Sequence, residues 1–211
     1  MIVLLMSCML SFRPSHALEY SEAEHVRISQ DIEQLAARQL WTGVEKRFQE
    51  LTALEVAAGT EIMSFEDLVY GAYAARAMGQ VMNARDRLNR AAKLDGPLDR
   101  MKEIADWLDS IRANFGQVRL TAHQSRNVAL SADMMPLDPD QRVAVEVAME
   151  EIKKNASFYG LLPKGTYVFA GYPFRVEPGI AVSIEASPRL KKTTGELVQM
   201  TTEPMVDAPS P

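Results

Sequence analysis

The chain has 211 residues, of which 47% are hydrophobic and 24% are charged, enough to form one globular domain or two small ones. Its formal net charge is −5 and its isoelectric point is near 5.3. This acidic balance argues against a nucleic-acid-binding protein, because neutralising phosphates requires a clustered excess of Lys and Arg.

The chain opens with an apolar run. Residues 1–12 are too few to span a bilayer, and Ser15-His16-Ala17 has the small-residue spacing of a secretory cleavage site. The pattern predicts a signal peptide at 1–17 and export to the periplasm or cell envelope. One alternative is a lipid anchor through Cys8, although the residues after Cys8 stay apolar. Another is an N-terminal helix packed in a core.

Apolar residues then recur at helical spacing as far as Ile111. The first predicted helix is expected to bury Val26 and Ile32. The short link Trp41-Thr42-Gly43 predicts an antiparallel hairpin, and Ser64 followed by Asp67 is typical of a helix start. The five predicted helices are 23–40, 43–57, 65–78, 82–94 and 98–112.

Residues 65–98 carry small and apolar residues at the spacing of a helical repeat. These residues are Leu68, Ala72, Ala75, Gly79, Ala84, Leu88, Ala91 and Leu94-Asp95. The segment resembles a tetratricopeptide-type repeat, in which small residues let two helices approach closely. Gly71 departs from the pattern, because a large apolar residue is usual there. The resemblance implies a TPR-like helical domain at 18–113, and a plain five-helix bundle is the alternative.

The same resemblance implies a partner-binding groove lined by the first helix of each pair. It maps this lining to Glu66, Val69, Tyr73 and Arg76. A tyrosine beside a guanidinium offers a large contact area to a peptide. The alternative is that Tyr70 and Tyr73 pack against the neighbouring hairpin.

The pattern changes to strands after Asn114. An Asp138-Pro139-Asp140-Gln141 capping pattern and a charged end predict an inserted helix at 139–155. Alternating valines in the same segment leave a strand as the alternative. The predicted strands are 117–121, 127–131, 167–170, 174–176 and 181–186.

Three short motifs connect these strands to a known type of domain. They are Gly116-x-Val118-x-Leu120, Leu162-Pro163-Lys164-Gly165-Thr166-Tyr167 and Val176-Glu177-Pro178-Gly179. Residues 116–187 resemble the PEGA-like group of small β-sandwich domains of bacterial envelope proteins, although the tetrapeptide that names the group is absent. The predicted β domain is therefore 114–187. The Thr- and Pro-rich segment 188–211 is predicted to be a disordered tail.

Sequence motifs of catalysis are absent from the chain: it has no phosphate-binding glycine loop, no HExxH and no Gly-x-Ser-x-Gly. His25 is expected to be solvated, and His123 is expected to lie in a surface turn. The alternative for His123 is a catalytic group together with Ser125 and Asp133. We therefore expect no enzyme activity, no cofactor and no metal site. Acidic residues including Glu45 and Glu55 are predicted to lie on solvated helix faces, as are the basic residues Arg85, Arg87, Arg90 and Lys93.

Together these patterns predict an α+β fold, with N-terminal antiparallel helical hairpins followed by a small antiparallel β-sandwich-like domain with an inserted helix. The predicted function is non-catalytic protein–protein interaction or scaffolding within a larger envelope complex. The alternative is a structural module that contacts peptidoglycan or another polysaccharide through exposed Tyr159, Tyr167 and Tyr172.

Overall fold

The computed structural model describes residues 21–123 and 128–186 and the backbone of 201–204. The fold is α+β, with five helices followed by a β region that contains a sixth helix. The predicted signal peptide lies outside the described residues, as do most of the residues of the predicted tail.

All five predicted N-terminal helices are present, with ends shifted by up to three residues. The predicted link Trp41-Thr42-Gly43 is wrong, because these residues form the first turn of the second helix and the connection is 38–40. Ser64 begins the third by accepting a hydrogen bond from the Asp67 amide, while the Asp67 carboxylate accepts one from the Ser64 amide. Gly59 and Gly79, which follow the second and third helices, have left-handed backbones. The helices are α1 (Glu22–Ala37), α2 (Trp41–Ala58), α3 (Phe65–Ala77), α4 (Val81–Ala91) and α5 (Leu98–Asn114).

The helices share one apolar core, in which α1 packs on α2 and α3 packs on α4. The small residues of the repeat-like segment are completely or almost completely buried: Ala72, Ala75, Ala84 and Ala91 are each at most 1% exposed. They allow α3 and α4 to approach closely. On α1 the prediction for Val26 is wrong, because Val26 is 48% exposed and Ile28 is buried instead.

A buried ion pair joins α2, α3 and α4. Arg87 donates hydrogen bonds to the Glu45 carboxylate at 2.5 and 2.8 Å and to the Gly71 carbonyl at 2.6 Å. Its guanidinium lies 3.9 Å from the centre of the Phe48 ring. A Cβ at position 71 would lie 2.3 Å from that ring, which explains why a glycine stands there.

The prediction of a solvated acidic face is therefore wrong for Glu45, which is only 4% exposed. Arg90 pairs in a similar way with Glu55 at 2.7 Å. Burial is the largest influence on Glu55 and would raise its pKa, but hydrogen bonds from Arg90 and the Ile62 amide outweigh it and lower the pKa. Two arginines of the predicted basic surface thus hold helices together.

Among the described residues, seven strands follow in two sheets. One sheet has the order β3-β1-β6-β7 and the other has the order β2-β4-β5. The five predicted strands are present with shifted ends, and Asn127 lies outside the described residues. The strands are β1 (Phe115–Ala122), β2 (Leu130–Ala132), β3 (Ser157–Pro163), β4 (Gly165–Phe169), β5 (Tyr172–Val176), β6 (Ile180–Ala186) and β7 (Thr201–Pro204).

The four-stranded sheet is mixed, which corrects the prediction of an antiparallel domain. Strands β1 and β6 pair in parallel, with Val118 opposite Val182 and Leu120 opposite Ile184. A parallel pair requires a long crossover, and the chain between these strands contains the inserted helix and three further strands.

Two strands have no counterpart in the sequence-based prediction. Strand β3 starts directly after Ala156, a non-glycine residue with a left-handed backbone, and pairs with β1. Strand β7 pairs with β6 and lies within the segment predicted to be disordered. Threonine favours strands, and two threonines begin β7.

The inserted helix α6 (Pro139–Asn155) settles the helix-or-strand alternative in favour of the helix. The Asp138 side chain accepts a hydrogen bond from the Gln141 amide at 3.0 Å, and Pro139 occupies the first turn. Buried Val145, Ala148 and Ile152 pack against the strands in a second apolar core.

The helical and β regions meet without a linker, because β1 begins at the residue after α5. Phe115 and Leu161 of the β region lie in the helical core. At the same junction a Cβ on Gly79 would lie 2.8 Å from the Val143 carbonyl oxygen of α6. The turn between α3 and α4 therefore contacts α6 directly.

This contact makes Gly79→Ala a test of the junction. The left-handed backbone alone costs about 1–2 kcal/mol for alanine, and overpacking adds about 1–3 kcal/mol. Gly59→Ala is the matched control, since φ is +66° there against +70° at Gly79 and a Cβ at Gly59 would have no atom within 4 Å beyond its neighbours in the chain. Urea unfolding should show the larger loss for Gly79→Ala. Equal losses would contradict the close contact with α6.

Candidate functional site

The first helices of the two hairpins, α1 and α3, lie side by side together with α5. His25 near the start of α1 lies 4.0 Å from Asp67 near the start of α3, while Trp41, beyond the end of α1, contacts Tyr73 further along α3. Helices α1 and α3 therefore run in the same direction. Helix α5 runs in this direction too, because it makes two contacts with α3 in the same order along both helices. These are Glu66 with Arg100 at 3.6 Å and, further along, Arg76 with Trp107 at 4.8 Å.

A groove of about 360 Å³ lies between α1 and α3. This volume is within the usual range of ligand pockets. We call it the α1–α3 groove and define it by Val26, Ser29, Gln30, Glu33, Glu66 and Tyr70. Val26 supplies exposed apolar surface, and Tyr70 is partly buried.

The floor of the α1–α3 groove contains polar atoms without hydrogen bonds within the described part of the chain. These atoms are His25 Nε2 and Ser29 Oγ, which lie one helical turn apart on α1. The nearby Asp67 carboxylate is 3% exposed and accepts hydrogen bonds from the Ser64 hydroxyl at 2.6 Å and the Ser64 amide at 3.0 Å. The capping of α3 thus occupies Asp67.

Two carboxylates flank Tyr70 at the edge of the α1–α3 groove. Burial raises the pKa of Tyr70 above its ordinary value, and the negative charges of Glu66 and Glu33 raise it further, whereas Arg100 opposes them. Glu33 is exposed, and the Glu66 side chain is 47% exposed. The edge of the groove is therefore acidic.

The space between α3 and α5 is filled by side chains. The rings of Tyr73 and Trp107 stack with centres 5.4 Å apart, and the Arg100 guanidinium lies 5.7 Å from the Tyr73 ring centre. The Tyr73 hydroxyl donates a hydrogen bond to Glu103. Burial, followed by this hydrogen bond, raises the pKa of Tyr73 to about 12.

The structure distributes the four predicted groove residues over different environments. Glu66 lines the α1–α3 groove, whereas Val69 is 2% exposed and belongs to the core. Tyr73 packs against aromatic neighbours, in line with the packing alternative. Arg76 donates a hydrogen bond to Asp140 of α6 at 2.7 Å. The partner-binding role of these residues stays a prediction.

Residues on α1 were not among the sequence-based candidates. Val26 was expected to be buried, and no role was predicted for Ser29, Gln30 and Glu33. One sequence signal could have identified this surface. The buried stripe of α1 runs through Ile28 and Ile32, and Val26 lies outside that stripe, next to Arg27.

A second cavity lies at the junction of the helical and β regions. Its volume is about 80 Å³, well below that of a typical ligand pocket. The Arg76–Asp140 pair and the Trp107 ring are part of its wall. This cavity is therefore a packing feature of the junction.

His123, the alternative catalytic candidate, lies on the surface. His123 Nε2 lies 2.5 Å from Glu185 Oε1, and both side chains are more than half exposed. Ser125 lies outside the described residues. Within 21–123 and 128–186 no group of three potential metal ligands is found.

The three tyrosines proposed as sugar contacts differ in exposure. Tyr159 is 51% exposed, and Gln117 donates a hydrogen bond to its hydroxyl at 2.8 Å. The exposed position expected for Tyr167 is wrong: it is 2% exposed, and its hydroxyl donates a hydrogen bond to the Pro163 carbonyl. Tyr172 is partly buried.

Comparison with known proteins found no matching family model, no matching curated protein and no matching solved structure. Among the described helices, none has the length and apolar character needed to cross a bilayer. The geometry of the α1–α3 groove is therefore the basis for a functional proposal.

The position of Tyr73 predicts an alkaline loss of stability. Tyrosine in the unfolded chain ionises near pH 10, whereas folded Tyr73 keeps its proton up to about pH 12. Above pH 10 the unfolded state therefore binds fewer protons, and the free energy of unfolding falls as pH rises towards 12. Tyr73→Phe should show a shallower fall in urea unfolding across this window. Identical slopes for the two proteins would contradict the buried position of Tyr73.

Proposed function

We propose that this protein is a non-catalytic scaffold of the cell envelope that holds a peptide segment of a partner protein in the α1–α3 groove. The groove itself is the observation that carries the proposal. It lies between two helices of the same direction, has room for several side chains and offers the exposed apolar surface of Val26. Grooves between helices are a recurrent place for peptide recognition.

A TPR-like arrangement of the helical region is part of this proposal. Its support is the common direction of α1, α3 and α5 and the burial of the small residues between α3 and α4. In such an arrangement each helix pair relies on its neighbours to complete the core. We assign α5 the role of the terminal helix that caps the stack.

The β region is proposed to be a PEGA-like sandwich that makes a second contact. Two sheets with a shared apolar core support this assignment. The parallel pair β1–β6 and the inserted helix α6 are departures that the resemblance did not predict.

The envelope location rests on the sequence pattern of residues 1–17. Lipid anchoring through Cys8 is the alternative within the same compartment. A polysaccharide-contacting module remains the second candidate function, and exposed Tyr159 is the feature that favours it.

Site-specific photocrosslinking in cells tests the proposal. A photoreactive amino acid replaces Val26 in the α1–α3 groove, or Val56 as a control, since Val56 is 78% exposed and lies on α2. We expect a discrete protein adduct at position 26 in the envelope fraction and none at position 56. The N-terminus of the recovered protein should be Leu18 if the signal peptide is removed.

Placing the same photoreactive residue at position 159 separates the two candidate functions. An adduct with cell-wall material at 159, with no protein adduct at 26, would favour the polysaccharide alternative. Equal adducts at positions 26 and 56, or an uncleaved protein in the cytoplasm, would contradict the proposed scaffold function.

A further inference from the structure

We infer that the α1–α3 groove selects a cationic peptide segment, in which a Lys or Arg follows closely on an apolar residue. This inference rests on the proposed function and specifies the chemistry of the partner. It concerns the partner's charge, for which the sequence patterns give no prediction.

The charge of the groove edge is the first argument. Glu33 is exposed, and no cationic side chain among the described residues lies within ion-pair distance of it. Glu66 has Arg100 at 3.6 Å, but that guanidinium also lies 3.5 Å from Glu103. The edge therefore carries uncompensated negative charge, which attracts a positively charged group.

The arginines near Glu33 do not neutralise the negative charge of the groove edge. The arginines near Glu33 along the chain are Arg38, the C-cap of α1, and Arg27. Arg38 makes no ion pair with Glu33 within the described part of the chain, and Arg27 pairs with Glu24 at 2.7 Å and with Asp31 at 3.0 Å. On α3 the buried Asp67 adds a further carboxylate beneath the groove, with His25 as its nearby titratable neighbour. Glu33 is thus available to a charge supplied from outside.

The shape of the groove is the second argument. Val26 presents an apolar surface, and Tyr70 lines the same groove as Glu33 and Glu66. The aliphatic part of a Lys or Arg can pack on the Tyr70 ring while its charged end meets Glu33 and Glu66. An apolar neighbour in the peptide would then contact Val26. An acidic peptide would meet repulsion at the same edge.

The interior of the groove supplies hydrogen-bonding capacity. His25 Nε2 and Ser29 Oγ lack partners in the described structure, and both residues line the groove. The edge carboxylates therefore determine the selectivity for charge.

A random-peptide library displayed on phage and selected on the full chain tests the inference. We expect selected peptides to be enriched in Lys and Arg next to apolar residues. A synthetic copy of the most enriched peptide then serves as the probe in a fluorescence-anisotropy titration. Its affinity should fall about tenfold in the double variant Glu33→Gln, Glu66→Gln, and it should fall with added salt.

The matched control removes the same amount of charge from another helix. Glu146 and Glu150 are exposed on α6, so Glu146→Gln with Glu150→Gln should change the affinity less than about twofold. A second pair of variants tests the groove itself, because Val26→Trp fills it and Val56→Trp does not. We expect Val26→Trp to abolish binding and Val56→Trp to leave it intact. Circular dichroism checks that each variant is folded.

Three outcomes would overturn the inference in distinguishable ways. Peptides that depend on Val26 but lack basic residues would reject the cationic partner and leave the proposed function standing. Peptides insensitive to Val26→Trp would reject both. Peptides that reproduce the uncharged apolar run 2–12 would show that the groove takes the chain's own N-terminal segment.

Discussion

The arrangement of the helices depends on the ion pair between Arg87 and Glu45. The Arg87 side chain is 11% exposed and that of Glu45 is 5% exposed, so each charge has lost most of its hydration. Two hydrogen bonds to the carboxylate and one to the Gly71 carbonyl compensate that loss. Removing one partner from such a pair costs about 3–5 kcal/mol, because the other charge stays buried. The pair therefore fixes α2, α3 and α4 relative to one another.

The spacing between the first helices follows from this constraint. Since α1 packs on α2 and α4 contacts α5, fixing the middle three helices also positions the outer two. Tyr73 and Trp107 fill the space between α3 and α5, whereas Val26 and Tyr70 leave the space between α1 and α3 open. The helical face that the sequence suggested for binding is therefore divided into a packed half and an open half. The open half carries the proposed function.

Local signals made the helices predictable, and long-range contacts made other features unpredictable. Ser64, Asp138 and Pro139 mark helix starts by hydrogen bonds or backbone constraints within one turn, so the sequence alone locates α3 and α6. The burial of Glu45 depends on an arginine 42 positions away. The parallel pairing of β1 with β6 likewise has no local signature, and β3 starts after a left-handed alanine that no rule anticipates. The α1–α3 groove was missed because one exposed valine on α1 was assigned to the core.

A double-mutant cycle on Glu45 and Arg87 tests this account most directly. The free energy of unfolding is measured by urea for the wild type, Glu45→Gln, Arg87→Met and the double variant. We predict that the double variant loses much less stability than the sum of the single losses, with a coupling of about 2 kcal/mol or more. The reason is that each single variant leaves one buried charge without its ion-pair partner. Single losses that add to within about 0.5 kcal/mol would show that the pair does not hold the helices together.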